Sequence, residues 1–116
     1  MSEVTIYHNP RCSKSRQTLE LLKEHGVEAN IVLYLDNPPD SQTLKTLLGK
    51  LGLTPRELMR SKEAEVKELG LNAAGTTDSE LIDAMVSHPK IIERPIVVRD
   101  DRAVLGRPPE NVLALL

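Results

Sequence analysis

The chain has 116 residues and a formal net charge of −2, and 40% of its residues are hydrophobic. That suits one domain with an ordinary aliphatic core, since Trp and Phe are absent and Tyr7 and Tyr34 are the only aromatic residues. The charge gives no pull toward nucleic acid or an acidic membrane, and so few aromatics exclude a base-stacking platform.

No apolar run reaches the roughly 18 residues of a membrane span, and no signal-peptide pattern opens the chain. The single cysteine, Cys12, cannot form an internal disulfide. A reducing, cytoplasmic location is therefore expected.

In chain order, Val4 to His8 alternates apolar and polar residues and is the first expected strand. A helix follows from about Ser13 to His25, with Leu19 and Leu22 inward and Gly26 as its stop. Ile31 to Tyr34 is nearly continuous in apolar residues and reads as a second, buried strand. Strand, helix and strand with short joints make a βαβ unit with parallel strands.

Asn37-Pro38-Pro39 breaks that pattern, and a helical insert follows at about 40–88. Leu44, Leu47, Leu48 and Leu51 have helical spacing, with Gly52 able to cap them. Thr54-Pro55-Arg56-Glu57 and Thr77-Asp78-Ser79-Glu80 are capping-box starts, the first with Pro at the first helical position. A short helix from Glu63 to Leu69 should stop at Gly70.

Ile96-Val97-Val98, the turn Asp100-Asp101-Arg102 and Ala103-Val104-Leu105 form a hairpin, hence an antiparallel pair. Pro108-Pro109-Glu110 opens a last helix with Val112, Leu113 and Leu116. The order βαβ, helical insert, ββα is that of a thioredoxin-like α/β domain with a mixed four-stranded sheet. The whole of 1–116 is expected to be one such domain.

Cys12 falls where the first strand hands over to the first helix. Unpaired N–H groups and the positive end of the helix dipole stabilise a thiolate there, and they also favour a bound anion. Thiolate is the nucleophilic form. Arg11 and Lys14 add positive charge beside it, and Arg16 is a further candidate site cation.

Arg94-Pro95 stands at the start of one hairpin strand and Arg107-Pro108 just past the end of its partner. An antiparallel pairing sets those arginines side by side, and guanidinium matches the fork geometry of oxyanions. In a thioredoxin-like sheet, where the third strand runs antiparallel to the first, their end of the hairpin also lies beside Cys12.

The segments His8-Asn9-Pro10 with Cys12 and Ser15-Arg16, Leu58-Met59-Arg60, His88-Pro89, Glu93 to Val98 and Arg107-Pro108 together resemble the glutaredoxin-coupled arsenate reductase family, in a short bacterial branch. The resemblance covers essentially the full chain. It implies reduction of arsenate, or a similar oxyanion, to arsenite by attack of Cys12. Arg60, Arg94 and Arg107 would hold the oxyanion, and His8 would help keep the thiol ionised.

No tightly bound cofactor is implied. Glutathione would be the co-substrate, and glutathione and glutaredoxin would supply the electrons. The resemblance also implies a cis bond at Pro95, facing Cys12; Pro108 is expected trans, since it only has to open the final helix.

Ser15 stands where a Cys-x-x-Cys motif would have its second cysteine, so dithiol exchange within the site is excluded. One cysteine and three scattered histidines give no metal-ligand spacing. His25 and His88 read as helix-end residues without chemistry. Two alternatives remain. One is an Spx-like regulator binding RNA polymerase, against which Ser15 and the arginine pair argue. The other is a glutathione-linked thiol reductase with another substrate.

Overall fold

The computed structural model describes residues 3–60 and 62–116. The chain forms two compact units: the described residues up to Asn37 with Arg94–Leu116, and Pro38–Glu93.

The first unit holds a four-stranded sheet in the order β2-β1-β3-β4. Its strands are β1 (Val4–Tyr7), β2 (Asn30–Val32), β3 (Ile96–Arg99) and β4 (Arg102–Leu105). β1 pairs parallel with β2, Ile6 opposite Ile31, and antiparallel with β3, Tyr7 opposite Ile96. β3 and β4 form the hairpin, Ile96 opposite Leu105. This is the mixed sheet of a thioredoxin-like fold.

Helix α1 (Ser13–Glu24) lies between β1 and β2 in the chain. Gly26, at φ 73°, takes the left-handed conformation that ends it. Val4 and Ile6 of β1, Leu22 of α1, Val97 of β3 and Val112 and Leu115 of the C-terminal segment form one buried cluster. Losing a side chain such as Ile6 to Ala would cost about 2–5 kcal/mol, because the vacated volume is only partly refilled.

Three local expectations are corrected. β2 is shorter than Ile31–Tyr34 and is not buried: Ile31 is 49% and Leu33 39% exposed, whereas Tyr34 is buried. β2 is an edge strand, with a neighbour on one side only. An apolar run marked the segment as a strand without saying where in the sheet it sits.

The C-terminal segment Pro109–Leu115 is a 3-10 helix, not an α-helix. Its buried residues Pro109, Val112 and Leu115 recur every three positions, while Leu113 and Leu116 are exposed. That is the eclipsed spacing of a three-residue turn. Arg99 Nη1 and Arg102 Nη2 donate to the carbonyls of Leu115 and Ala114, each at 2.7 Å, and so satisfy acceptors at the helix end.

The third correction concerns Pro108. Both Arg94–Pro95 and Arg107–Pro108 are cis. Pro95 agrees with the resemblance, but Pro108 does not have the trans bond expected of it. Pro109, not Pro108, is the first residue of the 3-10 helix, so the helix-opening role behind that expectation belongs to its neighbour.

The second unit is helical: α2 (Ser41–Leu51), α3 (Pro55–Leu58), α4 (Ala64–Glu68) and α5 (Asp78–Ser87), then a 3-10 turn at Pro89–Ile91. Both expected capping boxes form, Thr54 with Glu57 and Thr77 with Glu80. Asp40 Oδ1 accepts from Thr43 N–H at 2.7 Å and starts α2, and Gly52, at φ 69°, ends it. Leu44, Leu47, Leu58, Val66, Leu81, Met85 and Ile91 are buried within this unit. An isolated antiparallel bridge joins Met59, at the end of α3, to Ile92 near the end of the unit.

Candidate active site

Cys12 is the N-cap residue of α1, in extended conformation (φ −95°, ψ 123°), and is half-buried. Its backbone is fixed on both sides. Cys12 N–H donates to Asn9 O, and Cys12 O accepts from Arg16 N–H, each at 3.0 Å. Its side chain makes no capping hydrogen bond, so the thiol is not spent on the helix start.

The loop before it is held by Ser15, fully buried one turn into α1. The Ser15 hydroxyl accepts from Asn9 N–H at 3.0 Å and bonds His8 Nδ1 at 2.6 Å. Asn9 Oδ1 accepts from Arg11 N–H, and Arg16 Nη1 donates to Pro10 O at 2.9 Å. Arg16 therefore clasps the loop, a more structural role than that of a free site cation, while Arg11 is exposed at its tip.

His8 is 6% exposed. Burial, with the positive charges of Arg16 and Lys23, holds its imidazole below the ordinary value of 6.5. The ring is therefore neutral near pH 7. Its Nδ1 bond to the buried Ser15 hydroxyl fixes the ring orientation.

The sheet register places the remaining residues of this unit. The β1–β3 ladder ends at the Tyr7–Ile96 pair, with His8 and Pro95 the next residues of their segments, and Gly106 N–H donates to Pro95 O at 2.9 Å. One step further, Arg107 Nη1 approaches Arg94 O at 3.4 Å. Arg94 and Arg107 are thus side by side at the end of the hairpin where β1 leaves the sheet. Arg94 is half-buried, with Nε and Nη1 shielded from solvent, and Arg107 is exposed.

Two residues of this row escaped sequence reasoning. Thr18, fully buried on α1, donates to Lys14 O at 2.8 Å and reaches Gly106 O at 3.2 Å. A Cβ on Gly106 would lie 2.5 Å from Thr18 Oγ1 and 2.7 Å from Pro95 Cγ. The glycine lets α1 and the end of β4 meet, which fixes the backbone leading into Arg107. A lone glycine before Arg-Pro was the only available signal.

Arg60 belongs to the helical unit. Its N–H donates to Ile91 O at 2.6 Å. Its guanidinium is paired, Nη1 with Glu63 at 2.6 Å and Nε with Glu93 at 3.7 Å. Neither acid was singled out from sequence, although Glu63 stands at i+3 from Arg60.

A mixed four-stranded sheet in the order β2-β1-β3-β4, with a cysteine at the joint between its first strand and first helix, defines a protein of the thioredoxin-like fold. Residues 7–115 match the ArsC family, and the chain belongs to that family. It is 49% identical to the arsenate reductase of Neisseria meningitidis serogroup B over the full length of both chains. It is 56% identical to the Escherichia coli K12 protein YfgD, over 98% of this chain and 97% of that one. The solved structure of the arsenate reductase from Vibrio cholerae superposes with a TM-score of 0.97 at 49% identity, covering 99% of this chain and 98% of that one.

Proposed function

We propose that this protein reduces arsenate to arsenite, with Cys12 as nucleophile and electrons from glutathione and glutaredoxin. The observation that carries the reading is the placement of Cys12. It caps α1 with no side-chain capping bond, just after β1, whose last residue Tyr7 pairs with Ile96 at the start of β3; Pro95 and the Arg94–Arg107 pair come next along the chain from that start. Relatives named arsenate reductase, alike over the whole chain, support the choice of oxyanion.

In this scheme Arg94 and Arg107 bind the oxyanion and stabilise the charge that gathers on it during attack. Arg60 is the third ligand assigned by resemblance. His8, neutral and held by Ser15, orients the Cys12 loop, and Arg16 closes that loop through Pro10.

The Cys12 thiolate forms a sulfur–arsenic bond as one arsenate oxygen leaves as water. A glutathione thiolate then attacks the Cys12 sulfur. The sulfur–arsenic electron pair passes to arsenic, which leaves as arsenite, and Cys12 is left as a mixed disulfide with glutathione. Glutaredoxin attacks the glutathione sulfur and returns Cys12 to thiolate. With Ser15 at the second position of the motif, the chain's only cysteine has no internal resolving partner. This chemistry belongs in a reducing compartment, the cytoplasm.

The test is arsenate-dependent NADPH consumption with glutathione, glutaredoxin and glutathione reductase, comparing wild type with Cys12→Ser. Turnover by wild type alone is expected. Equal rates in the two proteins, or no arsenate dependence, would overturn the proposal.

A further inference from the structure

Gly106 is the last residue before Arg107, and glycine is the residue least able to hold the direction of the chain by itself. The backbone around it is nevertheless held at three successive carbonyls. Asn111 Nδ2 donates to Leu105 O at 3.0 Å and to Arg107 O at 3.2 Å. Between those two, Gly106 O accepts from Thr18 Oγ1 at 3.2 Å. Gly106 N–H is engaged as well, on Pro95 O.

Both side chains reach out from anchored elements. Thr18 is fully buried on α1, the helix that Cys12 caps, and its single hydroxyl hydrogen is shared between Lys14 O and Gly106 O. Asn111 belongs to the 3-10 helix Pro109–Leu115, and the next residue, Val112, lies in the buried core cluster. Asn111 itself is exposed. Water can satisfy a carbonyl at an exposed surface about as well as an amide does. What the ordered amide adds there is a fixed direction for the chain.

We propose that Thr18 and Asn111 are positioning residues of the oxyanion site, a two-sided clamp on the Gly106–Arg107 segment that presents Arg107 already oriented. The inference rests on the assignment of Arg107 to the oxyanion under the proposed function. All of its parts belong to the sheet unit. In this scheme both residues act through the backbone on either side of Arg107 and not on the reacting atoms. An arginine on a loosened segment has to be ordered each time an anion binds, and ordering one such side chain weakens binding by about two- to tenfold. That loss falls on KM more than on kcat.

Protection of Cys12 from iodoacetamide by sodium arsenate reads binding without needing turnover. Wild type, Asn111→Ala, Thr18→Val and Thr18→Ser would be compared, with KM, kcat and the thermal unfolding midpoint measured alongside. Asn111→Ala and Thr18→Val should each raise the half-protecting arsenate concentration and KM by about two- to tenfold, with a smaller change in kcat. Thr18→Ser, which keeps the hydroxyl, should stay near wild type. Asn111→Ala is at an exposed position, so it keeps the test open if loss of the buried hydroxyl in Thr18→Val prevents folding. In an Arg107→Ala background Asn111→Ala should change protection little further, because the clamp then has no guanidinium to place.

If arsenate protects wild type and the clamp variants equally, the positioning role is overturned and the reductase reading survives. A fall in unfolding midpoint without a change in protection would mean that the clamp only braces the fold, and would also overturn it. The same fold-change for Asn111→Ala with and without Arg107 would show that the clamp does not act through that arginine, again overturning the role. If arsenate does not protect Cys12 in wild type, the proposed function fails and this inference fails with it.

Discussion

The sheet unit and the helical unit hold their arginines by different means. In the sheet unit, Arg94 and Arg107 take their places from strand register, and Cys12 and His8 from backbone bonds anchored on a buried serine. In the helical unit, the backbone of Arg60 is fixed beside a bridge, but its guanidinium is held by two partly buried carboxylates. Placement by register is rigid and unforgiving of volume changes. Placement by ion pairs is adjustable in small steps, by charge and by salt.

The largest effect expected is at the nucleophile. Cys12→Ser should abolish arsenate turnover and leave the unfolding midpoint within error, because the thiol makes no capping bond. Residual turnover by that variant would remove Cys12 from the chemistry.

Next comes Gly106→Ala, which tests rigidity in the sheet unit. The new Cβ would press on Thr18 and Pro95, and overpacking of this kind costs about 1–3 kcal/mol. Urea unfolding should show that loss, and turnover should fall as the entry to Arg107 shifts. Wild-type stability and rate together would mean that the close approach is soft.

Arg94→Lys and Arg107→Lys keep the charge but lose the fork. Each should lower kcat/KM for arsenate by about tenfold or more. Wild-type kinetics in either variant would take that residue out of the site.

Thr77→Ala probes the helical unit away from Arg60. It removes the cap on Glu80 N–H and should cost about 1 kcal/mol in urea unfolding without changing KM or kcat. A change in KM or kcat would contradict that expectation.

The smallest effect is a pH dependence. Because the folded protein holds the His8 imidazole below its ordinary 6.5, the unfolded chain binds more protons as pH falls through that region. Stability is therefore fully present above 6.5 and is lost as pH falls toward the lowered folded value. Thermal midpoints of wild type and His8→Gln, compared at neutral and mildly acid pH, should show a fall in wild type that the variant lacks. Parallel falls in both would place the titrating group elsewhere.

The contrast between the units also explains what the sequence disclosed. Capping boxes at Thr54 and Thr77, the hairpin and the Arg94–Arg107 pairing follow from local spacing and turn chemistry, and they were legible. The edge position of β2 depends on which strands neighbour it, and the 3-10 pitch of Pro109–Leu115 on what its residues pack against, so neither could be read locally. Cys12 stood out because a thiol at a strand-to-helix joint has a physical meaning by itself. Thr18 and Gly106 did not, because they are 88 positions apart and matter only where α1 meets the end of β4. The carboxylates on Arg60 were hidden for the same reason. Glu63 looked like one more charged helix residue, and Glu93 meets Arg60 where the segments around Met59 and Ile92 pair.

The central claim is that Cys12 alone attacks the oxyanion and is resolved by an external thiol. Intact-protein and peptide mass spectrometry, on enzyme incubated with arsenate and reduced glutathione but no glutaredoxin, tests it most directly. The account predicts a single glutathione on Cys12 that forms only when arsenate is present and disappears when glutaredoxin is added. Arsenite released by an enzyme that never carries glutathione on Cys12, or an adduct indifferent to arsenate, would contradict it.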